Sequence, residues 1–390
     1  MNFGLSERQL DLQTRMRAYV SGFDPSEIKR CDIASEFPFA FYRGLGENGW
    51  TGIMVPQEYG GRGWGAVEMT IAAEECAAAG VSTLALALHG QRTLLALGTE
   101  EQKAKYLPGL VSGEWLSAIV VSEPTVGSSL KDMRTTARRD GDDYIVNGHK
   151  THITLAAEAD LLVTFVMTEK GLTTLLIDGD SPGITSQKMD SVGWRLEPHY
   201  DVEFDNVRVP ASNLLGEEGK GIKTFFASFN ITRLCNASHL LGIAREALSR
   251  SVDYAIQRDV GGTKVAEFQG IQWIIADLSA KYEAASLMRF KAAWMEDQDL
   301  PHEKETAMTK VLAVEICDAA TNEAFSIVGS YASYRDQPFE RFLRDAKIGH
   351  VTGGSSEIMK NNIARAVLGE HGFKFPRKAD KSGPGKGAQS

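Results

Sequence analysis

The strongest constraint on this chain is the order of its textures: a helical stretch, a β-branched block, then helices again almost to the end. From Ser6 to about Leu116 the pattern is helical, with Arg43, Gly44 and Gly46 punctuating early turns and an Ala/Leu-rich run from Glu74 to Leu97. Around Ala118 strand signals take over. Tyr144-Ile145-Val146 precedes an Asn147-Gly148 pair that predicts a hairpin turn, and Leu161 to Val166, Leu172 to Ile177 and Val202 to Val209 read as strands. After Gly219-Lys220-Gly221 the helical period returns. Its apolar stripes are Leu241, Ala244, Leu248, Val252 and Ala255, then Phe268, Ile271, Ile275, Leu278, Tyr282 and Ala285, then Met308, Leu312, Ile316 and Ala319.

Helices and strands that segregate in this way make an α+β chain and not a Rossmann alternation. We expect an N-terminal helical domain over 1–117, a middle antiparallel β domain, barrel or sandwich, over 118–222, and a four-helix bundle over 223–373. Residues 374–390, rich in Lys, Gly, Pro and Ser, read as a disordered tail, because they bury too little apolar surface to order themselves. No GxGxxG follows a strand and no GxxxxGK[ST] occurs, so the phosphate cradles of nicotinamide and P-loop folds are missing. A net charge of -9 argues against nucleic acid, which needs a Lys/Arg surplus on one surface. Cys31, Cys76, Cys235 and Cys317 are too dispersed for a zinc site and read as reduced thiols. The first residues lack a leader pattern and no window is apolar enough to span a bilayer, so the expectation is a cytoplasmic enzyme with no membrane association.

Chemistry enters through motifs in the β block. Val121-Ser122-Glu123-Pro124-Thr125-Val126-Gly127-Ser128-Ser129 joins a strand end to a Gly-Ser turn whose N–H groups and hydroxyls suit a phosphate or a ring edge. Together with Thr135-Thr136-Ala137, Asn147-Gly148-His149-Lys150, Ile153-Thr154, Val209-Pro210, Leu215-Gly216 and Gly219-Lys220-Gly221, it resembles the acyl-CoA dehydrogenase family in order and spacing. The likeness continues through Arg233, Gly242-Ile243-Ala244, Tyr254, Arg258, Glu267-Phe268-Gln269, Ala276-Asp277, Arg344 to Ile348 and Ile363-Ala364-Arg365, covering about residues 3 to 370.

The resemblance implies FAD between the middle domain and the bundle, an acyl-CoA or acyl-carrier-protein thioester as substrate, an electron-transfer flavoprotein as possible electron acceptor, and a homodimer or homotetramer. It implies that Val121 and Ser122 touch the isoalloxazine edge and that Ser128 meets the diphosphate or the pantetheine. Thr154 would lie near flavin N5, with His152 against the ring system. Arg258, Gln269 and Gly329 would meet the ADP half of a neighbour's FAD, and Ser355 and Glu357 would close the far side.

The pattern also departs from the family. Dehydrogenation of a thioester needs a base at Cα, and the family places a glutamate just before the Gly-Thr turn of the last helices. Here that turn reads Thr352-Gly353-Gly354-Ser355, so Gly353 stands at the carboxylate position. The family's other location, directly before an arginine on the preceding helix, holds Thr232 ahead of Arg233. His152 replaces an aromatic residue, Leu155 an asparagine and Gly261 a phenylalanine; Ser326 and Gly329-Ser330 thin the ADP motif. Candidates near the acyl pocket are His89, Arg92 and Arg233 for substrate binding, and His152, Thr232 and His350 for catalysis. Asp336, Glu340, Arg341 and Asp345 read as a structural charge network. The leading expectation is Cα–Cβ oxidoreduction with an unusual base or in the enoyl-reducing direction. Desulfination, which Gly353-Gly354 permits but Val81 opposes, and a silent subunit of a hetero-oligomer are the alternatives.

Overall fold

The computed structural model describes residues 4–78, 80–81, 84–127 and 129–375; the side chains of 84–89, 131 and 227 are likewise not described. The tail expected over 374–390 therefore lies almost wholly outside the described residues. Among the described residues six α-helices open the chain: α1 (Glu7–Gly22), α2 (Pro25–Ala34), α3 (Phe39–Glu47), α4 (Ala66–Ala78), α5 (Leu84–Leu97) and α6 (Glu100–Ser112). Capping explains several boundaries. Ser6 with Gln9 and Thr99 with Gln102 form reciprocal capping boxes at α1 and α6. Gly44 and Gly46 are not turn residues: both lie inside α3 and are buried.

Seven strands follow in one sheet: β1 (Ser117–Val120), β2 (Thr136–Asp140), β3 (Asp143–Thr154), β4 (Leu161–Thr168), β5 (Gly171–Asp178), β6 (Ile184–Met189) and β7 (His199–Pro210). Their order is β1-β4-β2-β3-β7-β6, with β5 also on β4. The expected antiparallel domain needs correcting, because β1 and one end of β2 run parallel to β4. Strand β1 enters directly from the helical layer, so no hairpin sets its direction.

The expected Asn147-Gly148 turn is also corrected. Strand β3 runs straight through it, and the chain reverses instead at Gly141, where φ is +62. The register slips between Val146 and Gly148, a bulge at which a Cβ on Gly148 would stand 2.6 Å from Thr135 Cα. Asn-Gly suits a bulge for the same reason that it suits a turn: both tolerate backbone conformations closed to other residues.

The bundle comprises α7 (Gly221–Gln257), the ribbon β8 (Asp259–Val260) and β9 (Thr263–Lys264), then α8 (Gln269–Asp297), α9 (Glu303–Val328), α10 (Phe339–Ile348) and α11 (Ser356–Glu370). Of the three expected stripes, that on α7 is buried at Leu241, Ala244 and Ala255, that on α8 at Leu278 and Ala285, with Phe268 just before the helix 46% exposed, and that on α9 at Ile316. A buried ion network ties the helical layer to the bundle. Glu74 on α4 meets Arg289 and Tyr282 of α8 and, at 2.9 Å, Arg245 of α7. Burial alone would raise the Glu74 carboxyl, but the two guanidinium groups hold it at about 2. All four cysteines are buried and free, and among the described residues no helix is long and apolar enough to cross a membrane.

Candidate functional site

The site forms where the end of β3, the segment leading into β7 and the middle of α7 converge. Leu155, Leu196, Ile231, Leu234 and Cys235 belong to one apolar cluster shared by the end of β3, the segment before β7 and α7. Trp194 meets the His239 ring of α7 edge-on at 5.5 Å. The backbone around Thr154 is unusual: His152, inside the register slip between Lys150 and Ile153, has φ of +57, and Leu155, just past the end of β3, has φ of +55. Left-handed non-glycine residues cost energy, and a chain keeps them where its surroundings over-determine them, often at functional sites.

A buried ion pair holds the strand that presents these residues. Lys150 on β3 donates to Glu123 Oε1 and to the Val121 carbonyl, both at 3.0 Å. Glu123 also accepts from the backbone N–H groups of Arg134 and Thr135 at 2.7 and 2.9 Å. Thr151 N donates to the Ser122 carbonyl at 2.9 Å, so Val121 and Ser122 are fastened beside the strand that carries His152 and Thr154. Burial pulls the Lys150 ammonium down to about 8 although Glu123 opposes this.

His199 was not anticipated from sequence. It pairs across the sheet with Thr154, and its Nδ1 is buried without a hydrogen-bond partner among the described residues. Burial, helped by the nearby His152, pushes His199 down to about 4, so it is neutral at pH 7. Nothing local marked it, because only the β3–β7 register places it opposite Thr154.

Arg233 of α7 also reaches the turn before α11. Arg233 Nε donates to the Gly353 carbonyl at 2.8 Å, its Nη1 donates to Asn230 at 3.1 Å, and its guanidinium lies 4.4 Å from the Phe229 ring centroid. Gly353 and Gly354 have φ of +63 and +98, which favours glycine at both positions. Ser355 caps α11, accepting from Ile358 N at 3.4 Å, and Glu357 lies exposed in its first turn. Asn236, a second residue missed by sequence, sits beneath Gly353.

Several expected site residues are placed elsewhere. Arg92 pairs with Glu296 at 2.8 Å, which ties α5 to the end of α8. His350 faces Asp318 of α9 at 3.8 Å beside Lys347, which also meets Asp318. Thr232 donates its hydroxyl to the Ser228 carbonyl one turn back at 2.8 Å. Ser128 lies outside the described residues, as does the side chain of His89 on α5.

Gly261, whose glycine weakened the ADP motif, has φ of +60 and Gly262 +84 in the two-residue turn between β8 and β9. Both central residues at positive φ make a tight hairpin that a phenylalanine would strain. Arg258 is exposed at the end of α7, beside a cavity of about 330 Å³ lined by Tyr254, Gln257, Tyr331 and Phe339. Gln269 opens α8, exposed, and Gly329 ends α9 at φ +68. In the charge network, Arg344 pairs with Asp32 at 2.7 Å and with Glu340, Asp345 accepts from Trp194 N at 2.6 Å, and Asp336 is exposed outside it.

Comparison with known proteins matches this arrangement along nearly the whole chain. The acyl-CoA dehydrogenase N-terminal domain profile covers residues 6–114, the middle domain 118–207 and the C-terminal domain 219–368. An acryloyl-CoA reductase (NADH) of Anaerotignum propionicum is 37% identical, over 94% of this chain and 96% of that protein. A chain solved in work on the electron transferring flavoprotein of Acidaminococcus fermentans superposes with a TM-score of 0.90 at 32% identity, covering 94% of this chain and 100% of that one. A glutaryl-CoA dehydrogenase from Mycobacterium smegmatis, solved in complex with FADH2, superposes with a TM-score of 0.90 at 25% identity, covering 95% and 97%. With three successive domains matched and a relative at this identity, the chain belongs to the acyl-CoA dehydrogenase family.

Proposed function

We propose that this protein is an FAD-dependent oxidoreductase of the acyl-CoA dehydrogenase type, working at Cα–Cβ of an acyl thioester without a carboxylate base at the usual turn. The observation that carries the reading is the convergence of Thr154, His199 and the Gly353 turn on α7. The residues present fit FAD. His199 Nδ1 is a buried polar atom without a partner at the Thr154 end of β3, where a ring with a polar edge would satisfy it. Val121, Ser122, His152 and Thr154 would hold the ring on the sheet side; Ser355 and Glu357 would approach it from α11. Ser128 keeps its expected diphosphate or pantetheine role.

Arg258 offers a cation beside Tyr254 and Tyr331, and together with Gln269 and Gly329 it suits the ADP half of a second copy's cofactor. Ile256, Val260, Phe268 and Trp273 are 46–65% exposed around the same end of the bundle, which supports a homodimer or homotetramer that covers them. FAD, when bound, supplies the two-electron exchange at Cβ. This chain's residues supply orientation and charge: neutral His199 can accept a hydrogen bond at the ring edge, and Arg233 keeps a positive field at the Gly353 carbonyl.

With glycine at 353, no side chain there removes an α-proton, which costs about 10²–10⁴-fold in general-base catalysis on a plain saturated thioester. An unusual base or the enoyl-reducing direction answers that loss, and the likeness to an acryloyl-CoA reductase supports the latter. An electron-transfer flavoprotein is the electron partner we favour. The test is an anaerobic titration of the purified yellow protein. Bleaching by an acyl thioester, or reoxidation of the reduced protein by an enoyl thioester, is the expected result. A colourless preparation that refuses added FAD, or a flavin silent in both directions, overturns the reading.

A further inference from the structure

Helix α8 buries Leu278, Ala285, Arg289, Ala292 and Ala293. Its outward side is open and mostly apolar. Trp273, Leu287 and Trp294 are 65%, 51% and 52% exposed, and Ala276, Ala280 and Ala284 lie exposed between the two indoles. At about 100° per residue these six positions share one arc of about 80°. A helix turns a stripe of that kind toward a core, and contiguous apolar surface left outside marks a contact with another molecule. Between Trp273 and Trp294, only Asp277 and Lys291 put a charge on the stripe.

The stripe is close to symmetric about Ala284. Asp277 and Lys291 stand seven residues to either side of it, and Trp273 and Trp294 stand eleven and ten. When a second α8 is laid on the first antiparallel, about a two-fold axis at Ala284, each Asp277 comes opposite the Lys291 of the other copy, about 10 Å along the helix from the crossing. A parallel pairing would instead set Asp277 against Asp277 and Lys291 against Lys291, so charge selects the antiparallel one. Size fits it as well. Alanines at the crossing let the axes approach to about 8 Å, and the indoles fill the gap that widens toward either end of the contact. Within its own chain Asp277 meets Lys281 at 2.5 Å and Lys291 meets Glu305 at 3.2 Å, with Asp277 and Lys291 64% and 55% exposed. Such surface pairs are weak and leave each ion room for a further partner.

We infer that the outward side of α8 is an isologous contact with a second copy of this chain. Two antiparallel α8 helices cross at Ala284, two Asp277–Lys291 pairs fix their register, and Trp273 and Trp294 close the ends. This goes beyond the contact proposed at the Arg258 end, where copies meet through the cofactor. Trp273 joins the two surfaces, because it also borders the exposed apolar residues of that end. Two different isologous contacts on one chain close on four copies, so the pair of contacts sets a tetramer and not a dimer.

The test is the number of copies in solution, measured by light scattering on the flavin-loaded full chain. The unaltered protein should give four. Asp277→Lys places two like-charge pairs in each contact and should weaken it at least about 100-fold, leaving two copies that keep their flavin; Lys291→Asp should do the same. Combining the two reversals should restore four copies, which loss of folding in either single variant could not produce; circular dichroism checks each fold. Ala284→Cys, on the two-fold axis, should form an intermolecular disulfide on mild oxidation, because helices crossing this closely bring their Cα atoms within disulfide range. The four native cysteines are buried. Gln272→Cys, exposed but off the stripe, should form none. A monomeric protein, charge reversals that leave the number of copies unchanged, or a double variant that does not reassemble overturns the inference. A dimer that charge reversal splits into monomers keeps it and sinks the contact at the Arg258 end. A dimer that only Arg258→Ala splits, with loss of flavin, does the opposite.

Discussion

Replacing Lys150 with methionine tests how the sheet side of the site is held. The ammonium is 0% exposed, 3.0 Å from Glu123, and also bonds the Val121 carbonyl. At 3.0 Å and an effective dielectric of 20, the Coulomb attraction is about 5.5 kcal/mol. Lys150→Met leaves Glu123 buried with two backbone N–H groups but no counter-charge, and breaking such a pair from one side costs about 3–5 kcal/mol. At about 2 °C per kcal/mol, the figure for larger domains, the apparent Tm should fall by about 6–10 °C. Because the pair fastens Val121 and Ser122 to β3, flavin content should drop as well. The assays are circular dichroism melting and flavin release on heating. Adding Glu123→Gln to Lys150→Met should restore at least half of the lost stability, since an uncharged amide is far cheaper to bury than an unpaired carboxylate. A Tm shift under 2 °C for the single variant, or no recovery in the double, refutes the reasoning.

Two further outcomes follow from packing and from titration. Gly242 on α7 presses against α4, where a Cβ would meet Ala77 Cβ at 2.5 Å and the Glu74 carbonyl; Gly242→Ala should cost about 1–3 kcal/mol in denaturant unfolding. Gly369→Ala, with nothing within 4 Å on the helix α11, should instead stabilise by up to about 1 kcal/mol, and similar effects of the two would contradict the close approach. His302 lies 2.6 Å from Glu296, whose hydrogen bond raises the imidazole above its ordinary value. A raised histidine stabilises fully below its unfolded value of about 6.5, and that contribution is lost as pH rises through the folded value. The Tm gap between the protein and His302→Gln should therefore be widest near pH 5.5 and close toward pH 9; a gap that widens with pH would refute the assignment.

Much of the fold was legible before any coordinates. The strands 161–168 and 171–178 and the long helices after Gly221 follow from periodicity, which a chain carries locally. The site was legible in part. That Gly353 and Thr232 stand where the family usually carries its glutamate is what the resemblance implies, and no local pattern gives it. Asn147-Gly148 misled because a bulge and a turn draw on the same residues. The partners of Arg92 and His350 were not legible, because a charged side chain does not announce its partner and Glu296 and Asp318 are far away in sequence.

By itself, then, the sequence determined the succession of helical layer, sheet and bundle, and which residue types stand at each motif, since these depend on side-chain period, turn chemistry and local capping. Only the tertiary structure decided that His199 lies across from Thr154, that Lys150 and Glu123 bury each other's charge, and that Arg233 and Asn236 of α7 meet the Gly353 turn. Those meetings are set by strand register and helix packing between distant segments, where the free energy depends on burial and geometry shared by partners that no local pattern links.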